Sequence, residues 1–294
     1  MGGTGFIGYH LAKKCLKLKW NVSSLSIKKP SKFRKLPKVK YLHLNIGNAK
    51  EVRKLSKKNF DYLVNLGGNI DHKNKIQTYK SHFLSVKNLF SVFKNKSLQS
   101  FIQIGSSAEY GSIRSPHKEN NICKPQLIYG KSKLQATKFL MSCYNKFNFP
   151  VTVLRFYQVF GPRQKINRFI PLLIKACVKN SEFISSHGRQ KRDFLYVDDA
   201  VDSIIKAIKN KNCIGKIINI GSGKPIELLK IMKYVKKKIG GGKFLLGKIK
   251  LRLDEPMIIY PNLRKSKKIL KWKKKISFQS GIKKTIKDYE LQIN

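Results

Sequence analysis

Short runs rich in β-branched and aromatic residues recur at 21–27 (NVSSLSI), 40–46 (KYLHLNI), 61–67 (DYLVNLG), 99–105 (QSFIQIG) and 151–157 (VTVLRFY). Between them lie stretches whose apolar positions return every three or four residues, as at 86–93 and 134–144. Strand-like runs alternating with helix-like ones predict βαβ units, and therefore an α/β chain built on a doubly wound parallel sheet. After about residue 156 the alternation loosens, and Pro162, Pro171 and Pro225 punctuate it. A smaller second lobe, interleaved with the end of the sheet, is expected there.

The chain begins MGGTGFIG, so Gly2, Gly5 and Gly8 stand at the spacing of a phosphate-binding turn. In such a turn the first glycine allows the tight bend, the second lets backbone approach a pyrophosphate, and the third lets the helix pack on the sheet. The amphipathic segment YHLAKKCLKL supplies the helix that should follow. What is missing is the strand that should precede the turn.

A second group of residues carries chemistry. In YGKSK, Tyr129 and Lys133 are four apart, which on a helix beginning near Gln126 puts them on one face. An ammonium there lowers the phenol's pKa and lets it exchange a proton near neutral pH. Upstream, the run IQIGSSAEYG ends a strand in the hydroxyls of Ser106 and Ser107, either of which can bond the oxygen that the tyrosine protonates.

Taken in order, GGTGFIG, VNLGG, GSSAEYG, YGKSK, LRFYQVFGPRQ, RFIP, RDFLYVDD and INIGSG resemble the extended short-chain dehydrogenase/reductase superfamily, and within it the NAD-dependent epimerase/dehydratase family acting on nucleotide sugars. The resemblance implies a Rossmann domain over 1–156, rejoined by segments at about 192–222, and a nucleotide-sugar lobe over most of 157–294. Members carry about six apolar residues before the glycine turn, so a first strand is apparently missing here. Tyr129 resembles the family's acid/base and Lys133 its partner, which also holds the nicotinamide ribose. Ser107 resembles the catalytic hydroxyl, with Ser106 the alternative because SSAEYG is one residue shorter than the usual pattern. Glu109 resembles the acid with which dehydratases of the family remove the C5 proton. The resemblance assigns Gly2, Gly5, Phe6, Ile7, Ser26, Asn45, Leu66, Gly67 and Tyr157 to the cofactor, with Tyr129 and Lys133. It assigns Gln158, Arg168 and Arg192 to the substrate, Arg192 gripping the diphosphate.

The cofactor is NAD or NADP. An NAD binder usually ends its second strand in an acid, whereas SSLSIKKP offers Ser26 followed by Lys28 and Lys29. The implied activity is a nucleotide-sugar epimerase or dehydratase working through transient oxidation at C4. A 4-keto sugar reductase and a non-catalytic dinucleotide sensor are the alternatives, and retention of Tyr129 and Lys133 favours an enzyme.

Composition changes little. The net charge is +48, but of the 63 basic residues 53 are lysine and 10 arginine, spread along the whole chain. Readers of nucleic acid cluster arginine on one element, so no specific nucleic-acid partner is expected. The five cysteines are widely and irregularly spaced, which suggests neither a metal site nor a disulfide framework. With no long apolar run and no leader, a cytoplasmic homodimer without membrane contact is expected. His72, His82 and His187 read as structural or surface residues.

Overall fold

The structure, a computed structural model, describes residues 1–69, 74–251 and 255–293, so His72 lies outside the described residues. The predicted strand runs appear as β1 (Val22–Ser26), β2 (Val39–His43), β3 (Tyr62–Asn65), β4 (Ser100–Ser106) and β5 (Val151–Phe156). Later strands are β6 (Gln158–Phe160), β7 (Glu182–Ile184), β8 (Lys191–Tyr196), β9 (Lys216–Ile220), β10 (Pro225–Glu227), β11 (Lys243–Leu245) and β12 (Ile258–Ile259). The helices are α1 (Phe6–Lys17), α2 (Ala49–Arg53), α3 (Lys75–Tyr79), α4 (Ser85–Phe93), α5 (Ile128–Phe147), α6 (Phe169–Val178), α7 (Val197–Lys209), α8 (Leu228–Ile239), α9 (Arg264–Leu270) and α10 (Phe278–Ile293).

Strands β3, β4, β5 and β9 pair in that order, all parallel, while β1 and β2 form a separate parallel pair. Alternation along the central strands sorts the core into two faces. Ile102, Ile104, Leu154, Phe156, Ile218 and Ile220 pack with Leu173, Ile204 and Ile208 of α6 and α7. Phe101, Val151 and Val153 point the other way, onto Leu89 and Phe93 of α4 and Leu140 of α5. A parallel sheet needs such cover on both faces. Strand β8 pairs with β6, β10 and β12, and β7 pairs with β11. Among the described residues no helix is long and apolar enough to cross a membrane.

Met1 and Gly2 join β3 and β1. The Met1 amine donates to Val64 O at 2.7 Å and Met1 O accepts from Leu66 N at 3.1 Å, while Gly2 N donates to Leu25 O at 2.8 Å. Burial pushes the Met1 amine down to about 5.

Candidate active site

The glycine turn leads directly into α1, whose N-cap is Gly5. A glycine offers no capping side chain, so the amides of Phe6 and Ile7 are left for another acceptor. Gly8 lets the helix close on the turn, since a Cβ there would lie 2.4 Å from Gly2 O. Uncapped amides at a closely packed helix start fit a dinucleotide pyrophosphate. The neighbouring strand ends complete a cradle. Ser26 Oγ accepts from Thr4 N at 3.4 Å, and Asn65 Oδ1 accepts from Gly67 N at 3.1 Å, fixing the Leu66–Gly67 backbone. Asn45 is turned to its own loop, with Oδ1 accepting from Gly47 N at 2.9 Å.

Tyr129 and Lys133 lie one turn apart on α5, and Lys133 is 5% exposed. Its Nζ donates to Ile104 O on β4 at 2.7 Å. Burial pulls this ammonium down to about 8, against the charge of Glu109, which holds it up. Burial also raises the Tyr129 phenol, while a hydrogen bond with Ser106 and the charge of Arg168 pull it down.

The Tyr129 phenol shares a hydrogen bond with Ser106, the alternative to Ser107 for the family's hydroxyl. Ser106 is the last residue of β4 and caps a single 3-10 turn, Ser107–Glu109, its Oγ accepting from Ala108 N at 3.2 Å.

Glu109, expected as a C5 base, is fully buried. Its Oε1 accepts from Ser106 N at 2.8 Å, and its Oε2 accepts from Thr137 Oγ1 at 2.8 Å and from Arg155 Nε at 2.9 Å. Although burial disfavours its charge, the Arg155 guanidinium is held above its ordinary value by Glu109. That guanidinium lies 4.6 Å over the Tyr110 ring, and the Tyr110 hydroxyl donates to Asn219 Oδ1 at 2.8 Å. Tyr157 is buried as well, with its hydroxyl 3.0 Å from His117 Nδ1.

His82 is a contact that the sequence reading missed. It sits in a π-turn at Lys80–Leu84, 5% exposed, with its ring edge-on to Tyr129 at 5.0 Å. Gly68, at φ +154°, makes room for it; a Cβ there would lie 2.0 Å from His82 Cε1. Only the glycine pair of VNLGG hinted that something must come this close. His187 faces Gly247, far in sequence from the catalytic segments.

A cavity of about 390 Å³ is lined by Phe169, Phe183, Leu228 and Met232, with Gln190 and Glu255 among its polar groups. Arg192, on β8, bonds Glu255 at this cavity and donates to Lys191 O at 3.0 Å. Arg168 precedes α6 and its charge is felt at Tyr129, whereas Gln158 is exposed at the start of β6. The cavity's apolar walls and few polar groups suit a small organic ligand.

The fold is shared with solved structures. The UDP-glucose 4-epimerase of Thermotoga maritima, solved with UDP-glucose, superposes with a TM-score of 0.94 at 20% identity, covering 100% of this chain and 98% of that one. The UDP-glucuronic acid 4-epimerase of Bacillus cereus, in complex with UDP-glucuronic acid and NAD, gives 0.88 at 24% identity, covering 99% and 98%. In sequence, the uncharacterized UDP-glucose epimerase YtcB of Bacillus subtilis is 27% identical over 299 residues, spanning 96% of this chain and 94% of that protein. Residues 1–221, from the glycine turn through β9, match the NAD dependent epimerase/dehydratase family, and the chain belongs to that family.

Proposed function

We propose that the protein is a nucleotide-sugar 4-epimerase, using Tyr129 as acid/base, Lys133 as its electrostatic partner and Ser106 as the hydroxyl that orients the sugar oxygen. The observation that carries this reading is the fate of the SSAEYG segment. Dehydratases of the family set an acid directly after the catalytic hydroxyl, or a glutamate two positions after it. Counted from Ser106 those positions are Ser107 and Ala108, and the segment's one acid, Glu109, is enclosed by Ser106 N, Thr137 and Arg155. No carboxylate of this segment is placed to take a C5 proton, which favours return of hydride to C4 over elimination.

When bound, the dinucleotide supplies reversible hydride transfer. The chain's own residues move the proton. The C4 hydroxyl of the sugar gives its proton to the Tyr129 phenolate as the carbon is oxidised, and receives one from the phenol as it is reduced. Ser106 shares a hydrogen bond with the same phenol, so it holds the oxygen in line during both transfers. Lys133, anchored on Ile104 O, keeps a positive charge one helical turn away and favours the phenolate. The apolar cavity of the second lobe, with Arg192 and Glu255 at it, is the proposed seat of the nucleotide. Arg168, whose charge is felt at Tyr129, is proposed as a partner of the substrate's diphosphate beside Arg192.

Tyr129→Phe should lower turnover by about a hundredfold or more while dinucleotide binding, read by fluorescence titration, stays within about twofold. Near-normal turnover would remove Tyr129 from the mechanism.

Solvent deuterium separates the reaction types. In D₂O a 4-epimerase returns hydride to C4 and leaves no carbon-bound label, so mass spectrometry of the product should show none. Label at C5 would establish elimination instead, and product formed only with stoichiometric consumption of reduced dinucleotide would establish a reductase.

The pH profile tests the buried carboxylate. Because the Lys133 ammonium titrates near 8, kcat/KM should fall on the alkaline side from about that pH. Glu109 supports that ammonium, so Glu109→Gln should move the alkaline limb to lower pH. The same change leaves Arg155 buried without its counter-charge, and denaturant melts should show a loss of about 3–5 kcal/mol. An unmoved limb would separate Glu109 from Lys133.

A further inference from the structure

We propose that the adenosine end of the dinucleotide site is built to receive a ribose 2′-phosphate, so that this chain binds NADP in preference to NAD. The adenine ribose of a dinucleotide lies at the end of the strand that follows α1, where an acid about 20 residues beyond the glycine turn accepts its hydroxyls in an NAD binder. Here that position, the end of β1, is Ser26, and exposed Lys28 follows it. A carboxylate there would repel a phosphate; a hydroxyl and an ammonium attract one.

The structure adds an arginine that spacing alone did not reveal. Arg34 lies in the loop after β1 and folds back over the glycine turn, with its Nη1 donating to Thr4 O at 3.4 Å. Its Nε donates to Arg163 O at 3.0 Å, which fixes the guanidinium plane. Thr4 therefore sits between the two groups, its amide on Ser26 Oγ and its carbonyl on Arg34. Among the described residues no carboxylate forms an ion pair with Arg34. A half-buried guanidinium that satisfies itself on carbonyls keeps its full charge for an anion.

The surroundings point the same way. Lys165 feels the like charges of Arg34, Lys28 and Arg168, and Arg34 feels that of Arg163. Among the described residues, Arg163 is the one of these five cations paired with a carboxylate, Asp288 at 3.1 Å. Crowded like charges destabilise one another and are relieved by a bound dianion. The lysine-rich composition does not explain the cluster, because three of the chain's 10 arginines meet there. A phosphate at this spot finds a fork in Arg34, a point charge in Lys28, and the Ser26 hydroxyl.

The test uses binding alone, so its outcome is independent of the reaction type. Isothermal titration of the full chain compares 2′-phospho-ADP-ribose, ADP-ribose and UDP. The phosphorylated probe should bind at least tenfold more tightly than ADP-ribose. Arg34→Ser should remove most of that ratio while leaving ADP-ribose affinity within about twofold, and Lys28→Ser, on an exposed side chain that folding does not need, should reduce the ratio in the same sense. Ser26→Asp should invert it. Equal affinity of the two ADP-ribose probes for the unmodified chain would overturn the proposal. So would an equal loss of both probes in Lys28→Ser, which would assign the cations to the pyrophosphate, or a loss confined to UDP, which would assign them to the sugar nucleotide.

Discussion

The site depends on one buried carboxylate. Glu109 accepts a hydrogen bond from the backbone of Ser106 at the end of β4, from Thr137 on α5, and from Arg155 on β5. Those three elements carry the hydroxyl, the phenol–ammonium pair and the floor beneath them. A fully buried charge is tolerable only when its lone pairs are filled and a counter-charge is close, and both conditions hold here. The penalty for losing any one partner is what locks the other two. Register between strand and helix is therefore set by an interaction that never touches a ligand.

Much of the fold was legible in the chain. Strands β1 to β5 coincide with the runs of β-branched and aromatic residues, and α4 and α5 with the three-to-four spacing, because burial on both sides of a parallel sheet forces those patterns. The glycine turn and the Tyr129–Lys133 pair were legible for a similar reason, since each needs particular residues at a fixed spacing. What escaped was direction. Whether Ser106 or Ser107 faces Tyr129, and whether Glu109 points out or in, is decided by one 3-10 turn that shifts the phase after β4. Arg155, which draws Glu109 inward, is 46 residues further along the chain, and nothing local announces it.

Contacts made across loops were likewise hidden. His82 reaches Tyr129 through a π-turn, a departure from regular helix that no periodicity encodes. Arg34 reaches Thr4 and Arg163, residues 30 and 129 positions away. Both sit where the ends of the parallel strands open into a crevice, the region in which doubly wound sheets bind their ligands. Side chains that converge on such a crevice come from separated segments by construction.

Helix α5 has a consequence for how this chain tolerates insertions and deletions. Tyr129, Lys133 and Thr137 are spaced by four, so one rigid rod presents the phenol, the ammonium and the anchor of the buried carboxylate in a single row about 12 Å long. Adding or deleting one residue between Tyr129 and Thr137 would turn everything beyond it by about 100°. The phenol would then face the cleft only if the anchor left the core, or the reverse. Length changes should therefore accumulate in surface connections and stay out of these nine positions, however freely the solvent-facing Lys131 and Gln135 exchange.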